Sequence, residues 1–294
     1  MARPLPASEF QVAEARSGGP RWPDFIILGA MKAGTTSLFD WLGACPEVEL
    51  PAVKEPATLC AHDLGPDDWS RYLSLFATTA VTGEASVRYG WPSEAARVAT
   101  RVSAAPRRPA LIFVAREPVD RLRSDYRHNV LKGRETRPFA RAVADPASAA
   151  VQRSQYSATL STYRGVLGET PLLLRFEDLV GDDGSVWRSV LSHLGLDTRP
   201  RPSSNANPTI GRRSTTALGN RSIDGGGAIA SLIRTASRRA PTSMRSAARR
   251  LHDRRRGDTI AELLESGSAP LPTATADALD AERQRLRADW ELAW

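Results

Sequence analysis

Gly29-Ala-Met-Lys-Ala-Gly-Thr-Thr-Ser37 combines two glycines in GxxxxG spacing, a lysine between them and three hydroxyl residues behind them. It follows the apolar run Phe25–Leu28 and precedes the helical pattern Leu38–Leu42. A loop so placed presents unpaired backbone N–H groups beside the positive end of a helix dipole, which is the chemistry of anion binding. The lysine is displaced. A nucleoside-triphosphate loop, GxxxxGK[ST], carries lysine after the second glycine, whereas Thr35 holds that place here and the lysine is Lys32. The apolar run Leu111–Val114 leads into Ala115-Arg116 instead of an acidic magnesium ligand. These features argue against a magnesium-bound triphosphate and for a smaller anion with one ammonium set in its cradle. The competing reading is a tight turn that happens to contain lysine. Arg116 ends its strand, and Ser124 falls about two turns into the helix opened by Pro118, so a guanidinium and a hydroxyl can converge on one phosphate. The alternative is an ion pair from Arg116 to Glu117 or Asp120, with Ser124 on a helix surface.

The elements that must hold these groups follow from hydrophobic patterning. Strands are predicted at Phe25–Leu28, Ala80–Gly83, Leu111–Val114 and Leu172–Leu174. Helices are predicted near 67–77, 93–104, 118–132, 146–165 and 185–195. Strands alternating with helices imply an α/β fold: a single P-loop-like domain over residues 21–294, with a central parallel sheet flanked by helices. Residues 1–20 are read as a flexible N-terminal segment and 199–256 as a basic, loop-rich insertion. A C-terminal helix over 274–294 is signalled by Leu279, Leu286 and Trp290 on one face.

Asp24-Phe-Ile-Ile-Leu-Gly-Ala-Met-Lys-Ala-Gly-Thr-Thr-Ser-Leu38 resembles the 5′-phosphosulfate loop of sulfotransferases that use 3′-phosphoadenosine 5′-phosphosulfate (PAPS), in particular the heparan-sulfate type and its bacterial relatives. Val53-Lys-Glu-Pro56, Gly83-Glu-Ala-Ser86, the Phe113–Tyr126 segment, Lys132–Thr136 with Phe139, and Leu174–Leu179 follow in the family's order, covering roughly 24–196. The resemblance implies donor-binding roles for Lys32, Ala33, Gly34, Thr35, Thr36 and Ser37, and assigns Arg116 and Ser124 to the 3′-phosphate. A later basic loop closes that site in the family, for which Arg212 and Arg213 are the candidates. Glu55, in the family's Lys-Glu-Pro context, is implied as the base that accepts the acceptor's proton, with Lys32 meeting charge on the leaving oxygen; no metal is required. His62 and His128 are rival bases. The chain departs from the family where relatives continue Glu-Pro-His-Phe-Phe and this one reads Glu55-Pro-Ala-Thr-Leu59, and where Ala85 replaces a lysine. Both differences bear on the acceptor, so a heparan-like polysaccharide does not follow. The implied acceptor is a hydroxyl, less readily an amine, of a carbohydrate, glycolipid or secondary metabolite.

Composition fits an ordinary globular chain of 294 residues, 41% hydrophobic and 25% charged, with a formal charge of +7. Arginine supplies 37 of the 40 basic residues, which singles out Lys32, Lys54 and Lys132. Two cysteines without CxxC spacing argue against a disulfide framework or zinc site. No apolar run approaches the ~20 residues of a membrane span, and the first 20 lack a signal-peptide core, so a cytoplasmic protein is expected. Residues 199–256 carry 14 arginines against two acidic residues. Their 229–256 portion is a candidate for peripheral membrane contact, and nucleic acid is not expected as a partner. A P-loop kinase and a basic nucleic-acid- or membrane-binding module are the alternatives, distinguished by dependence on ATP with magnesium and by steeply salt-dependent binding without affinity for PAPS.

Overall fold

A computed structural model describes residues 21–181, 184–202 and 259–292. Four strands, β1 (Phe25–Gly29), β2 (Gly83–Ala85), β3 (Ala110–Ala115) and β4 (Leu172–Arg175), form a parallel sheet in the order β2-β1-β3-β4. Phe25 is in register with both Gly83 and Ala110, and Ile112 with Leu172. β1 is buried along its whole length and β3 along all but its first residue, as strands covered on both faces must be. Gly83 is required by that pairing, since a Cβ there would meet the Phe25 carbonyl oxygen at 2.5 Å.

The main helices are α1 (Thr35–Leu42), α2 (Pro66–Ser74), α3 (Pro92–Ser103), α4 (Pro118–Leu131), α5 (Tyr156–Leu167), α6 (Ser185–His193) and α7 (Thr273–Trp290). Proline opens α2, α3 and α4, where its missing N–H has no helical partner to lose. The principal core forms around the sheet, and a smaller one joins Leu122, Tyr126 and Val130 of α4 to Phe139, Leu263 and Leu279. α7 serves both: Leu279 is buried in the smaller core and Leu286 in the larger, with Trp290 packed against the latter. From the same helix Glu282, fully buried, accepts bonds from the Ser157 backbone N–H and hydroxyl, both at 2.7 Å, and so caps α5.

Two expectations require correction. The second strand lies at Gly83–Ala85, not Ala80–Gly83; before it only Val81 bridges, to Val48, because the chain at Thr82 is held by Asp24 as it enters the sheet. The helix expected over 146–165 is two, Ala149–Gln152 and α5. Ser154 between them receives the Arg121 Nε at 2.7 Å and donates to the Pro118 carbonyl at 3.0 Å, commitments that pull it out of helical register. Cys45 and Cys60 are both buried free thiols. Among the described residues no helix is long and apolar enough to cross a membrane. The expected N-terminal segment 1–20, nearly all of the basic 199–256 region, and Arg212 and Arg213 lie outside the described residues.

Candidate active site

The chain leaves β1 for β2 on one side and returns to β3 on the other, so the carboxyl ends of β1 and β3 flank a topological switch point, the usual place for ligand binding in open α/β sheets. The glycine loop occupies it. Ala30 N–H donates to the Val114 carbonyl at 2.7 Å, and Met31–Gly34 turn tightly into α1. Lys32 (φ 71°) and Gly34 (φ 80°) both take left-handed backbone conformations. For lysine this is a strained state that its surroundings must hold. At Gly34 there is also no room, because a Cβ would lie 2.8 Å from the Phe176 ring. α1 starts without a side-chain cap or an acidic residue in its first turn, so the amides of Thr35, Thr36 and Ser37 have no partner within the helix and sit at the positive end of its dipole.

Arg116 comes off the end of β3 and reaches back over this loop. Its Nη1 donates to the Lys32 carbonyl at 3.2 Å, and its guanidinium stacks 4.9 Å from the Phe176 ring centroid. No described carboxylate pairs with it. Glu117, the neighbour that would have neutralised it, is committed elsewhere: it accepts from the Asp120 amide at 2.8 Å and from the Arg283 Nε of α7 at 2.8 Å. Ser124 is half-buried on α4, and its hydroxyl makes no hydrogen bond to another described residue. Its neighbour Asp125 is buried against Arg121 (3.3 Å), Asn129 (2.8 Å) and Arg153 (3.8 Å). Burial pushes the Lys32 ammonium below the ordinary lysine pKa, with Asp125 opposing and Arg116 reinforcing the shift. His128, one turn beyond Ser124, has its pKa lowered by burial and then by the Lys32 charge. His62 is exposed, 3.3 Å from Arg97 Nη2.

Glu55 lies at the carboxyl end of β2, one strand over from the glycine loop. Ala85 N–H donates to the Lys54 carbonyl at 3.2 Å, and Lys54 Nζ bonds Glu55 Oε1 at 2.8 Å. Of the groups named from sequence, Arg116 meets the glycine loop at the Lys32 carbonyl, Glu55 lies one strand over, Ser124 is on α4 and His62 stands apart beside Arg97. Sequence reasoning missed Phe176, which packs beneath Arg116 and against Gly34, and Glu84, a fully buried carboxylate in β2. For Phe176 a signal existed in Leu174-Arg-Phe-Glu-Asp-Leu179, the strand end beside β3; Glu84's hydroxyl partners gave none until the fold was known.

Neither a protein-family model nor a curated protein sequence matches the chain. Among solved structures it is similar to a sulfotransferase from Alicyclobacillus acidocaldarius, at 28% identity and TM-score 0.51, covering 64% of this chain and 87% of that one. It is also similar to the sulfotransferase domain of the Synechococcus PCC 7002 olefin synthase, at 17% identity and TM-score 0.49, covering 92% and 96%. A third is the sulfotransferase domain from the curacin biosynthetic pathway, at 16% identity and TM-score 0.43, covering 61% and 76%. The α/β fold with its four-stranded parallel sheet is the fold of the first of these.

Proposed function

We propose that the chain is a sulfotransferase that takes its sulfuryl group from PAPS and passes it to a hydroxyl of a carbohydrate, glycolipid or secondary metabolite. The observation that carries the reading is the pairing of an uncapped helix N-terminus with Arg116, a cation facing the same loop and left without a carboxylate among the described residues. Those groups fit a ligand with two separate anionic ends. The amides of Gly34–Ser37 would hold the 5′-phosphosulfate, and Arg116 with the Ser124 hydroxyl the 3′-phosphate. Arg212 and Arg213 remain candidates for closing over that phosphate. The similarity to the Alicyclobacillus sulfotransferase supports the reaction class.

When bound, PAPS supplies an activated sulfuryl group on a phosphate leaving group. Lys32 would meet the charge that gathers on that oxygen, and its lowered pKa makes it a readier proton donor than an exposed lysine. Glu55 takes the proton from the acceptor hydroxyl, while Lys54, 2.8 Å away, holds the carboxylate in place. The chain's own cations fill the part that magnesium plays for triphosphates, so no metal enters the scheme. Ala57-Thr58-Leu59 in place of the family's aromatic run makes the acceptor wall smaller and less aromatic, which weighs against a heparan-like polymer.

The test is transfer from labelled PAPS to a panel of sugars, lipids and phenols in the presence of EDTA. Chelator-resistant, PAPS-dependent product supports the proposal; turnover that needs ATP and magnesium contradicts it. General-base catalysis contributes roughly 10²–10⁴-fold, so Glu55→Gln should lower kcat by that factor and leave donor binding intact. His62→Ala and His128→Ala should cost much less. Near-normal turnover in Glu55→Gln with a dead histidine variant would move the base to that histidine.

A further inference from the structure

Glu84 is fully buried in β2, and three hydroxyls donate to its carboxylate: Tyr72 from α2 at 2.5 Å, Ser86 at 2.5 Å and Tyr89 at 3.0 Å. A hydroxyl has one proton, so giving it to Glu84 leaves only acceptor lone pairs for any other partner. For two of the three, those lone pairs meet backbone N–H groups of the segment that carries Glu55. Ala57 N–H donates to Ser86 Oγ at 3.0 Å, and Leu59 N–H donates to Tyr89 Oη at 3.2 Å. Ala57 itself has φ 52°, a left-handed state that an alanine keeps only when its neighbours hold it.

We infer that Glu84 is a positioning residue, which fixes the donor–acceptor sense of Ser86 and Tyr89 so that they clamp the Lys54–Cys60 segment and hold Glu55 against the end of β2. The inference rests on Glu55 being the base. The two hydroxyl links bracket the segment just past Glu55, and the Ala85 amide bond to the Lys54 carbonyl secures it just before, so the carboxylate side chain projects from a stretch pinned on both sides. Burial raises the Glu84 carboxyl, and the three donated bonds oppose that rise in part.

Ser86→Ala tests the clamp without removing the buried carboxylate, with Tyr89→Phe as the second variant. Amide exchange of the 54–60 segment is measured first, in the absence of any substrate. Ser86→Ala should speed exchange at Ala57, and Tyr89→Phe at Leu59, while the affinity for adenosine 3′,5′-bisphosphate stays unchanged. Turnover is then read in a double-mutant cycle with Glu55→Gln. Ser86→Ala alone should lower kcat severalfold with KM for PAPS unchanged, and that loss should vanish in the Glu55→Gln background. Unchanged exchange at Ala57 and Leu59, or the same fold-loss of kcat in both backgrounds, overturns the clamp. Full turnover in Glu55→Gln would instead overturn Glu55 as base, and the exchange result would still judge the clamp by itself.

Discussion

Arg116 and Lys32 show how one side chain's role depends on where its neighbours spend their charges. Glu117, adjacent to Arg116 in sequence, is bound by Arg283 from α7 and by the α4 amide it caps, and so is not spent on the guanidinium over the glycine loop. Lys32 sits in a left-handed turn with its carbonyl held by Arg116. Because its ammonium is assigned to charge that develops in the transition state, Lys32→Ala should lower kcat by more than it raises the dissociation constant of adenosine 3′,5′-bisphosphate. Steady-state kinetics and calorimetry separate the two; a change confined to KM would contradict the assignment. Glu84 gives a prediction in pH. Burial lifts its pKa from 4.5 to about 7, against the hydrogen bonds from Ser86, Tyr72 and Tyr89 and with the nearby Glu55 charge adding to the rise. The Cys60 thiol and the Tyr163 hydroxyl also feel the Glu84 charge. A carboxyl whose folded pKa is raised binds its proton more tightly in the native state, so its contribution to stability is complete below about pH 4.5 and lost as pH climbs through about 7. The difference in thermal stability between wild type and Glu84→Gln should therefore move against the wild type across that window. A difference that stays constant with pH would refute the shift.

At the scale of elements, the β1–loop–α1 unit was legible because its signals are local: an apolar strand, two glycines at fixed spacing and a helix that begins directly after them. The end of β3 at Arg116 and the start of α4 at Pro118 were legible for the same reason. Where the reading slipped, a distant partner decided the outcome. The second strand starts only at Gly83 because Asp24, 58 positions earlier, holds the Thr82 amide. The helix over 146–165 breaks at Ser154 because Arg121, 33 positions earlier, claims its hydroxyl. Gly34 is the element-scale test of the loop. Ala at that position would have to hold φ 80° and push its methyl into Phe176, so Gly34→Ala should cost about 1–3 kcal/mol of stability and abolish tight donor-product binding. Thermal melts and calorimetry check both, and a variant with wild-type melting and affinity would show that the loop does not need glycine there.

Over the whole molecule, the sheet sets the site by ending three parallel strands together: β1 delivers the loop, β3 delivers Arg116 and β4 delivers Phe176 beneath it. β2 adds the segment bearing Glu55 at the outer edge. α7, far along the chain, fastens this arrangement from behind through Glu282 on α5 and Arg283 on Glu117. None of those long-range fastenings was readable beforehand, since the pattern of Leu279, Leu286 and Trp290 marks an apolar face but not which charges its flanks will meet. The central claim is a site for a nucleotide carrying phosphate at both the 3′ and 5′ positions. Titration calorimetry of adenosine 3′,5′-bisphosphate against AMP, in EDTA, measures it most directly. A charge-assisted contact is worth about 1.5–3 kcal/mol, so the bisphosphate should bind at least about tenfold more tightly than AMP, and Arg116→Ala should erase the difference. Equal affinity for the two nucleotides in the wild-type protein would contradict the account.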